Sequence, residues 1–501
     1  MNPTKHKHQS VINDRIIISS SLTATVHDRS HSQLFPMATS NPTKHILVIP
    51  FPAQGHLLPL LDLVHLLSMR HGFSLSILVT PQNLPLIQPF LSSTPTASPL
   101  LFPLPSHPSI PSGIEHSRHL PPHIHPALLS LPLSLLKPQI LSWAKSIPNP
   151  ISLLISDSFL GWTESLSREI GVPRVYFACT GAFGTAVIDY VYLHVPKKSN
   201  ELIQLDSLPS SPSFPFSELP QIFRCYKPGD PDWEFIRESI LANFSSWGLF
   251  TNTFNALESE YISYLKNFYG HNRVWAVGPI QPTGPPTSRG GNSSVSSVEL
   301  EKWFDTCPPK SVVYVCFGSQ YSPSVSQACA IASALELSGV RFIWGLGGLS
   351  SVIPEGFEEK TKGKGLVIRG WAPQVEILHH PAVGSFLTHS GWNSVLEGVM
   401  AGVALLTWPM KAEQFVNAKL LVEEVGIAAK AASGSDAVPE VEELAKVFAE
   451  SVRMRTGSLI AMQEKAVEMQ REAVAAVKEG GSSHKDILDF IDAVYLLGIN
   501  K

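Results

Sequence analysis

The sequence predicts an α/β protein built from two doubly wound, Rossmann-like domains that face a central cleft. Short apolar runs alternate with helical patterns along most of the chain. The runs lack polar alternation, as strands do when both faces of a parallel sheet are covered by helices. The alternation breaks once, at a Gly/Pro/Ser-rich stretch, and then restarts. With 501 residues the chain is too long for one core, and two domains of roughly 200–250 residues are expected.

Residues 1–36 are polar and rich in Ser and His, with no apolar signal core and too few Arg for a transit peptide. They read as a disordered extension that the fold does not need. The first domain is expected over 37–280. KHILVIPF (44–51) is its first strand, followed by a helix near 57–70 and a second strand, FSLSILVT (73–80). SLLISD (152–157), a helix near 161–170 and RVYFAC (174–179) continue the pattern. Between 84 and 150 the chain is dense in Pro, and 207–221 reads as another loop. Long irregular segments of this kind usually line a site.

The break, QPTGPPTSRGGNSSVSS (281–297), reads as an interdomain linker. The second domain, 298–501, carries the strands VVYVCFGS (312–319), VRFIWGL (340–346), GLVIRGW (365–371), VGSFLTH (383–389) and ALLTWP (404–409). Helices follow near 439–452, 457–478 and 486–497, the last able to pack back on the first domain. Two such halves bind ligands at the carboxyl ends of their strands.

Composition narrows the function. Hydrophobic content of 44% and charged content of 16% are those of an ordinary globular protein, and a net charge of −4 gives no footprint for nucleic acid or an anionic membrane. The most apolar early stretch, 45–67, is broken by Pro50, Pro52, His56, Pro59 and Asp62. No membrane span is expected, since one needs about 20 predominantly apolar residues. The 5 Cys form no CxxC and no metal-ligand spacing with His, which suits reduced thiols. A cytoplasmic monomer is the expectation.

His56, in FPAQGHLLPLL (51–61), sits where the first strand hands over to the first helix. A His there can act as a general base near neutral pH, although a lone His more often packs or caps. Asp157 ends another buried strand on the same edge and could orient the imidazole; its plainer role is an N-cap. The chain has no GxSxG and no GxGxxG, so neither a Ser nucleophile nor a dinucleotide site is expected. A base without a nucleophile implies a substrate that brings its own hydroxyl.

THSGWNSVLEG (388–398) delivers His389 to a strand end and opens a helix with Gly, Trp, Asn and Ser. Unpaired N–H groups at a helix N-terminus bind phosphate. Ser394-x-x-Glu397 matches a capping box, yet Glu397 is also placed to accept from a ribose diol. FGS (317–319) gives a second Gly/Ser strand end, and Trp371 offers a face for a flat base. Together they describe a nucleoside diphosphate site. There is no P-loop, and no acidic cluster calls for a metal or cofactor.

Trp371 to Gln414, WAPQVEILHHPAVGSFLTHSGWNSVLEGVMAGVALLTWPMKAEQ, closely resembles the signature box of plant UDP-sugar-dependent glycosyltransferases of secondary metabolism. The likeness extends to PAQGH, Asp157, FGS and GGSS (480–483), and covers essentially all of 44–497. It implies the GT-B architecture. It also implies that Trp371 stacks on uracil with Ala372 beside it, and that Gln374 contacts the ribose or base. Ser319, His389, Asn393 and Ser394 would hold the diphosphate, Glu397 the ribose hydroxyls, and Trp392, Glu413 and Gln414 the sugar. His56 would be the base and Asp157 its partner. Ser390 stands where most members have Cys, Ala404 where Pro is usual, and Glu413 where Asp is commoner.

The implied activity is inverting O-glycosyl transfer from UDP-glucose to a small phenolic or flavonoid-type acceptor. UDP-xylose or another UDP-sugar, with a terpenoid or hormone acceptor, is the alternative within the class. A non-catalytic UDP-sugar-binding protein would keep 371–414 but lose the His56–Asp157 pair.

Overall fold

A computed structural model describes residues 44–283, 293–347, 353–453 and 457–497. The extension at 1–36 and linker residues 284–292 lie outside the described residues. Seven parallel strands form the first sheet in the order β3-β2-β1-β4-β5-β8-β9. They are β1 (His45–Ile49), β2 (Ser74–Val79), β3 (Ala97–Leu101), β4 (Ile151–Asp157), β5 (Arg174–Ala178), β8 (Gly248–Thr251) and β9 (Val274–Ala276). A separate antiparallel hairpin pairs β6 (Ile203–Gln204) with β7 (Ser213–Phe214).

The second lobe has a six-stranded parallel sheet in the order β12-β11-β10-β13-β14-β15. Its strands are β10 (Val312–Cys316), β11 (Arg341–Gly345), β12 (Gly365–Ile368), β13 (Val383–Thr388), β14 (Ala404–Thr407) and β15 (Ala428–Lys430). HILVI, VVYVC and VGSFLT are buried along their whole lengths, because helices cover both faces of each sheet.

Strand order reverses between β1 and β4 in the first sheet and between β10 and β13 in the second. Open α/β sheets bind ligands at such switch points, outside the carboxyl ends of the strands. His56 follows β1, Asp157 ends β4, Ser319 follows β10 and His389 follows β13. All four sit at one of the two reversals.

Residues 84–150 depart from the irregular segment that their Pro content suggests. They form the helix Leu84–Ser93, strand β3 and the helix Lys137–Ser146. Both helices carry Pro in the first turn, where the missing N–H has no intrahelical partner to lose. β3 contains Pro99, is largely exposed and lies at the sheet edge, the one sheet position that tolerates Pro and shows no apolar run. The linker also ends earlier than its composition suggests. Ser296 and Glu299 form a capping box that opens the helix Ser297–Phe304.

The last helix, Ser482–Leu496, packs on the first lobe. Asp489 Oδ2 accepts from Trp275 Nε1 at 2.8 Å and Asp486 Oδ2 from the Ala276 amide at 2.7 Å, while Phe490 packs edge-on against Phe250 and Trp275. Among the described residues, no helix is long and apolar enough to cross a membrane.

Candidate active site

A cavity of about 410 Å³ opens between the two lobes, and residues of both line it. His56 lies in the first turn of the helix Gln54–His71. Its Nδ1 donates to Asp157 Oδ2 at 2.9 Å, and the carboxylate is fully buried. The other carboxylate oxygen, Oδ1, accepts from the Phe159 amide at 2.8 Å. Asp157 therefore does both things its position suggests, capping the turn Ser158–Leu160 with one oxygen and holding His56 with the other. Arg174, the buried first residue of β5, fixes the end of β4 by donating from Nε to Ser156 Oγ at 2.9 Å.

Phe51 and Phe159 pack against the imidazole, with ring centroids 5.2 and 4.7 Å away. Burial opposes protonation of His56, yet the neighbouring Cys179 sulfur and Asp157 carboxylate outweigh it and raise its pKa well above the ordinary value. Burial pushes the Cys179 thiol up, and the neighbouring His56 works against that. Cys179, just past β5, stands 3.2 Å from His56 Nδ1. Its sequence neighbours give no hint of this. Only the β4–β5 register, with Asp157 opposite Phe177, brings it alongside.

In the facing lobe the helix Trp392–Ala401 begins after Gly391, with no side-chain cap. This corrects the capping-box reading of Ser394 and Glu397, which lie inside the helix rather than at its start. Gln374 Nε2 donates instead to Ser394 Oγ at 3.0 Å and to Glu397 Oε2 at 2.6 Å. Gln374 Oε1 accepts from the Tyr314 hydroxyl at 3.3 Å. Gln374, Ser394 and Glu397 form one polar cluster on the cavity wall, beside Trp371 and Ala372.

His389 is wedged between Gly318 and Gly391; a Cβ on either would lie within 3 Å of its ring. Burial first, and Lys411 second, lower its pKa to about 4. It is therefore a neutral ring near pH 7, and its buried Nδ1 has no hydrogen-bond partner among the described residues. Ser319 lines the same wall.

Two signature residues reach across the cleft. Trp392 Nε1 donates to the Asn252 carbonyl at 2.7 Å, and Asn393 Nδ2 to the Gly55 carbonyl at 3.0 Å. Both still line the cavity. At the far end Glu413 is half-buried, with its carboxyl pushed up by desolvation and its Oε1 3.4 Å from Asn417 Nδ2. Gln414 Oε1 accepts from the amides of Met410 and Lys411 at 2.9 and 3.0 Å.

The family of UDP-glucoronosyl and UDP-glucosyl transferases matches the chain over residues 291–444. Flavonol 3-O-glucosyltransferase UGT89B1 of Arabidopsis thaliana is 45% identical over 476 residues, covering 92% of this chain and 98% of the relative. The chain belongs to the plant UDP-glycosyltransferases. UDP-glycosyltransferase 89B2 of Stevia rebaudiana is 44% identical over 92% of this chain and its own full length. The crystal structure of Arabidopsis thaliana UGT89C1 complexed with UDP-L-rhamnose matches with a TM-score of 0.75 at 35% identity, covering 91% of this chain and all of that one. A complex of the same protein with quercetin matches with a TM-score of 0.74 at 34% identity, over 90% and 99% of the two chains. The two parallel-sheet lobes are thus the GT-B fold of a glycosyltransferase.

One feature of this glycosyltransferase had no signal in its sequence. Gln221, in the first lobe, grips the turn that carries Lys411, Glu413 and Gln414. Its amide donates to the Ala412 carbonyl at 3.0 Å, and its Oε1 accepts from the Ala412 amide at 3.3 Å. Ala412 takes a φ of 56°, and the Gln221 bonds tie down that left-handed backbone.

Proposed function

We propose that the enzyme transfers glucose from UDP-glucose to a hydroxyl of a small phenolic, flavonoid-type acceptor, with inversion at the anomeric carbon. The observation that carries this reading is the 2.9 Å bond from His56 Nδ1 to the buried Asp157 carboxylate, at the rim of the cavity that the signature residues line. With Nδ1 donating, the Nε2 lone pair is left to take the acceptor proton. The freed oxygen attacks the anomeric carbon in line, and UDP leaves on the opposite side.

The helix N-terminus at Gly391 and the neutral His389 ring then stabilise the charge that develops on the diphosphate. Trp371 and Ala372 hold the base, Gln374 and Glu397 the ribose, Ser319, Asn393 and Ser394 the diphosphate, and Trp392, Glu413 and Gln414 the sugar. No metal or cofactor is invoked. The named action of the Arabidopsis relative on flavonols and the quercetin complex of UGT89C1 support the acceptor class.

UDP-L-rhamnose is the second reading for the donor, because a structural neighbour holds it. The test is a donor competition among UDP-glucose, UDP-rhamnose, UDP-xylose and UDP-glucuronate with quercetin, followed by a screen of flavonols, hydroxybenzoates and terpenols with the preferred donor. Dominant use of UDP-glucose is expected. Preference for another sugar would overturn the donor assignment, and turnover confined to terpenols would overturn the acceptor class.

A further inference from the structure

Cys179 has no part in the chemistry proposed above, yet it completes a set of three different metal-binding side chains. Its sulfur, the imidazole of His56 and the carboxylate of Asp157 lie within 4.8 Å of one another. Asp157 Oδ2 stands 2.9 Å from His56 Nδ1, and Cys179 Sγ stands 3.2 Å from the same nitrogen and 3.5 Å from Nε2. Around a tetrahedral zinc ion, N, O and S ligands at about 2.0–2.3 Å from the metal stand roughly 3.3–3.7 Å apart. The two contacts to Nδ1 differ from that spacing by fractions of an ångström, and the carboxylate and sulfur, within 4.8 Å of each other, close on the ion with it. All three groups come from the ends of adjoining strands or a first helical turn, so they are held on rigid elements, and His56 and Cys179 border the cavity through which an ion would enter.

We propose that His56 Nδ1, Asp157 Oδ2 and Cys179 Sγ form an inhibitory binding site for Zn2+ or a similar borderline-soft divalent ion. Zinc binds the soft thiolate, the imidazole and the carboxylate together, and keeps a fourth position for water. Binding to the neutral imidazole releases one proton, from the Cys179 thiol. The Nδ1 proton moves to Nε2, because the Nδ1 lone pair now belongs to the metal. Two negative ligands against a 2+ ion leave a cluster of zero net charge, which a buried site accepts far more readily than a lone cation.

The consequence for activity is direct. With a proton on Nε2, His56 has no lone pair to offer an acceptor hydroxyl. This loss of activity follows only if His56 is the base, as proposed above; metal binding does not depend on it. Because a proton is released, the ion binds more tightly as pH rises.

The test uses the full-length enzyme with UDP-glucose and quercetin, titrated with Zn2+, with Mg2+ as a hard-ion control. Zinc is expected to inhibit reversibly, with activity restored by EDTA, while Mg2+ does nothing. Loss of a direct ligand should cost at least the roughly tenfold that outer-shell losses cost. Cys179→Ala and Cys179→Ser should therefore each need tenfold or more zinc for half-inhibition, read against each variant's own metal-free rate. Co2+ supplies a readout independent of turnover: a near-ultraviolet sulfur-to-cobalt band in the wild type that both variants lack.

Equal zinc sensitivity in wild type and variants, or no cobalt band in the wild type, would overturn the site. A cobalt band that appears while a saturating ion leaves turnover intact would uphold the site and overturn His56 as the base.

Discussion

Asp157→Asn tests the proposed base without removing it. In the native site Oδ2 takes the Nδ1 proton of His56 at 2.9 Å, and Oδ1 takes the Phe159 amide at 2.8 Å. An asparagine that keeps its oxygen on the Phe159 amide must turn its NH2 toward Nδ1. Nδ1 then becomes an acceptor, the ring proton moves to Nε2, and the base is lost. The rate should fall by the roughly 10²–10⁴-fold that a positioned base contributes. At 1.36 kcal/mol per decade that is about 2.7–5.4 kcal/mol on the barrier.

Stability should change far less, because both hydrogen bonds persist with one charged partner made neutral, a difference of about 1 kcal/mol. Asp157→Ala loses the cap as well and should cost about 1 kcal/mol more. The pH profile adds a second readout. His56 works as the neutral imidazole and its pKa is raised, since Cys179 and Asp157 together outweigh the lowering effect of burial. Wild-type activity should therefore fall as pH drops through a value above the ordinary 6.5, and any residual Asp157→Asn activity should show that limb at lower pH. The assay is kcat across pH with an aliphatic alcohol acceptor, alongside thermal melting and UDP calorimetry. An Asp157→Asn enzyme within twofold of wild type, with the same acid limb, would refute the reasoning.

Three further outcomes follow from the facing lobe. Glu397→Gln should melt near wild type, because the helix starts at Gly391 without a capping box, while UDP binding weakens roughly tenfold for a lost charged bond; unchanged UDP affinity with a lower melting point would reverse that assignment. Gln414→Ala removes the acceptor of two backbone amides, so a stability loss of about 1–3 kcal/mol and a changed donor ranking are expected, with free UDP bound as before. Wild-type donor ranking in that variant would remove Gln414 from sugar selection. Gln221→Ala should raise donor KM about fivefold, equivalent to about 1 kcal/mol, without altering the affinity for UDP alone; equal losses in both would mean that Gln221 supports the whole lobe rather than the sugar turn.

The chain by itself determined the strands whose burial is continuous. KHILVIPF, SLLISD, VVYVCFGS and VGSFLTH need no tertiary information, because a run of apolar residues records burial on both faces directly. The signature stretch 371–414 likewise carried its residues' identity in order. Elements without such a record were hidden: β3 is an exposed edge strand containing Pro, and β8 and β9 span four and three residues.

Partnerships were decided only by the fold. Ser394 and Glu397 have the spacing of a cap, yet the cap position falls three residues earlier, at Gly391, and both side chains turn to Gln374. His56 meets Asp157 across 101 residues and Cys179 across 123, and Asn393 reaches Gly55 across 338. Local spacing cannot encode such pairs, because they depend on strand order and register, which place the ends of β1, β4 and β5 side by side. The sequence named the reactive groups; sheet topology chose their neighbours, and with them the tautomer of His56 and the thiol that stands beside it.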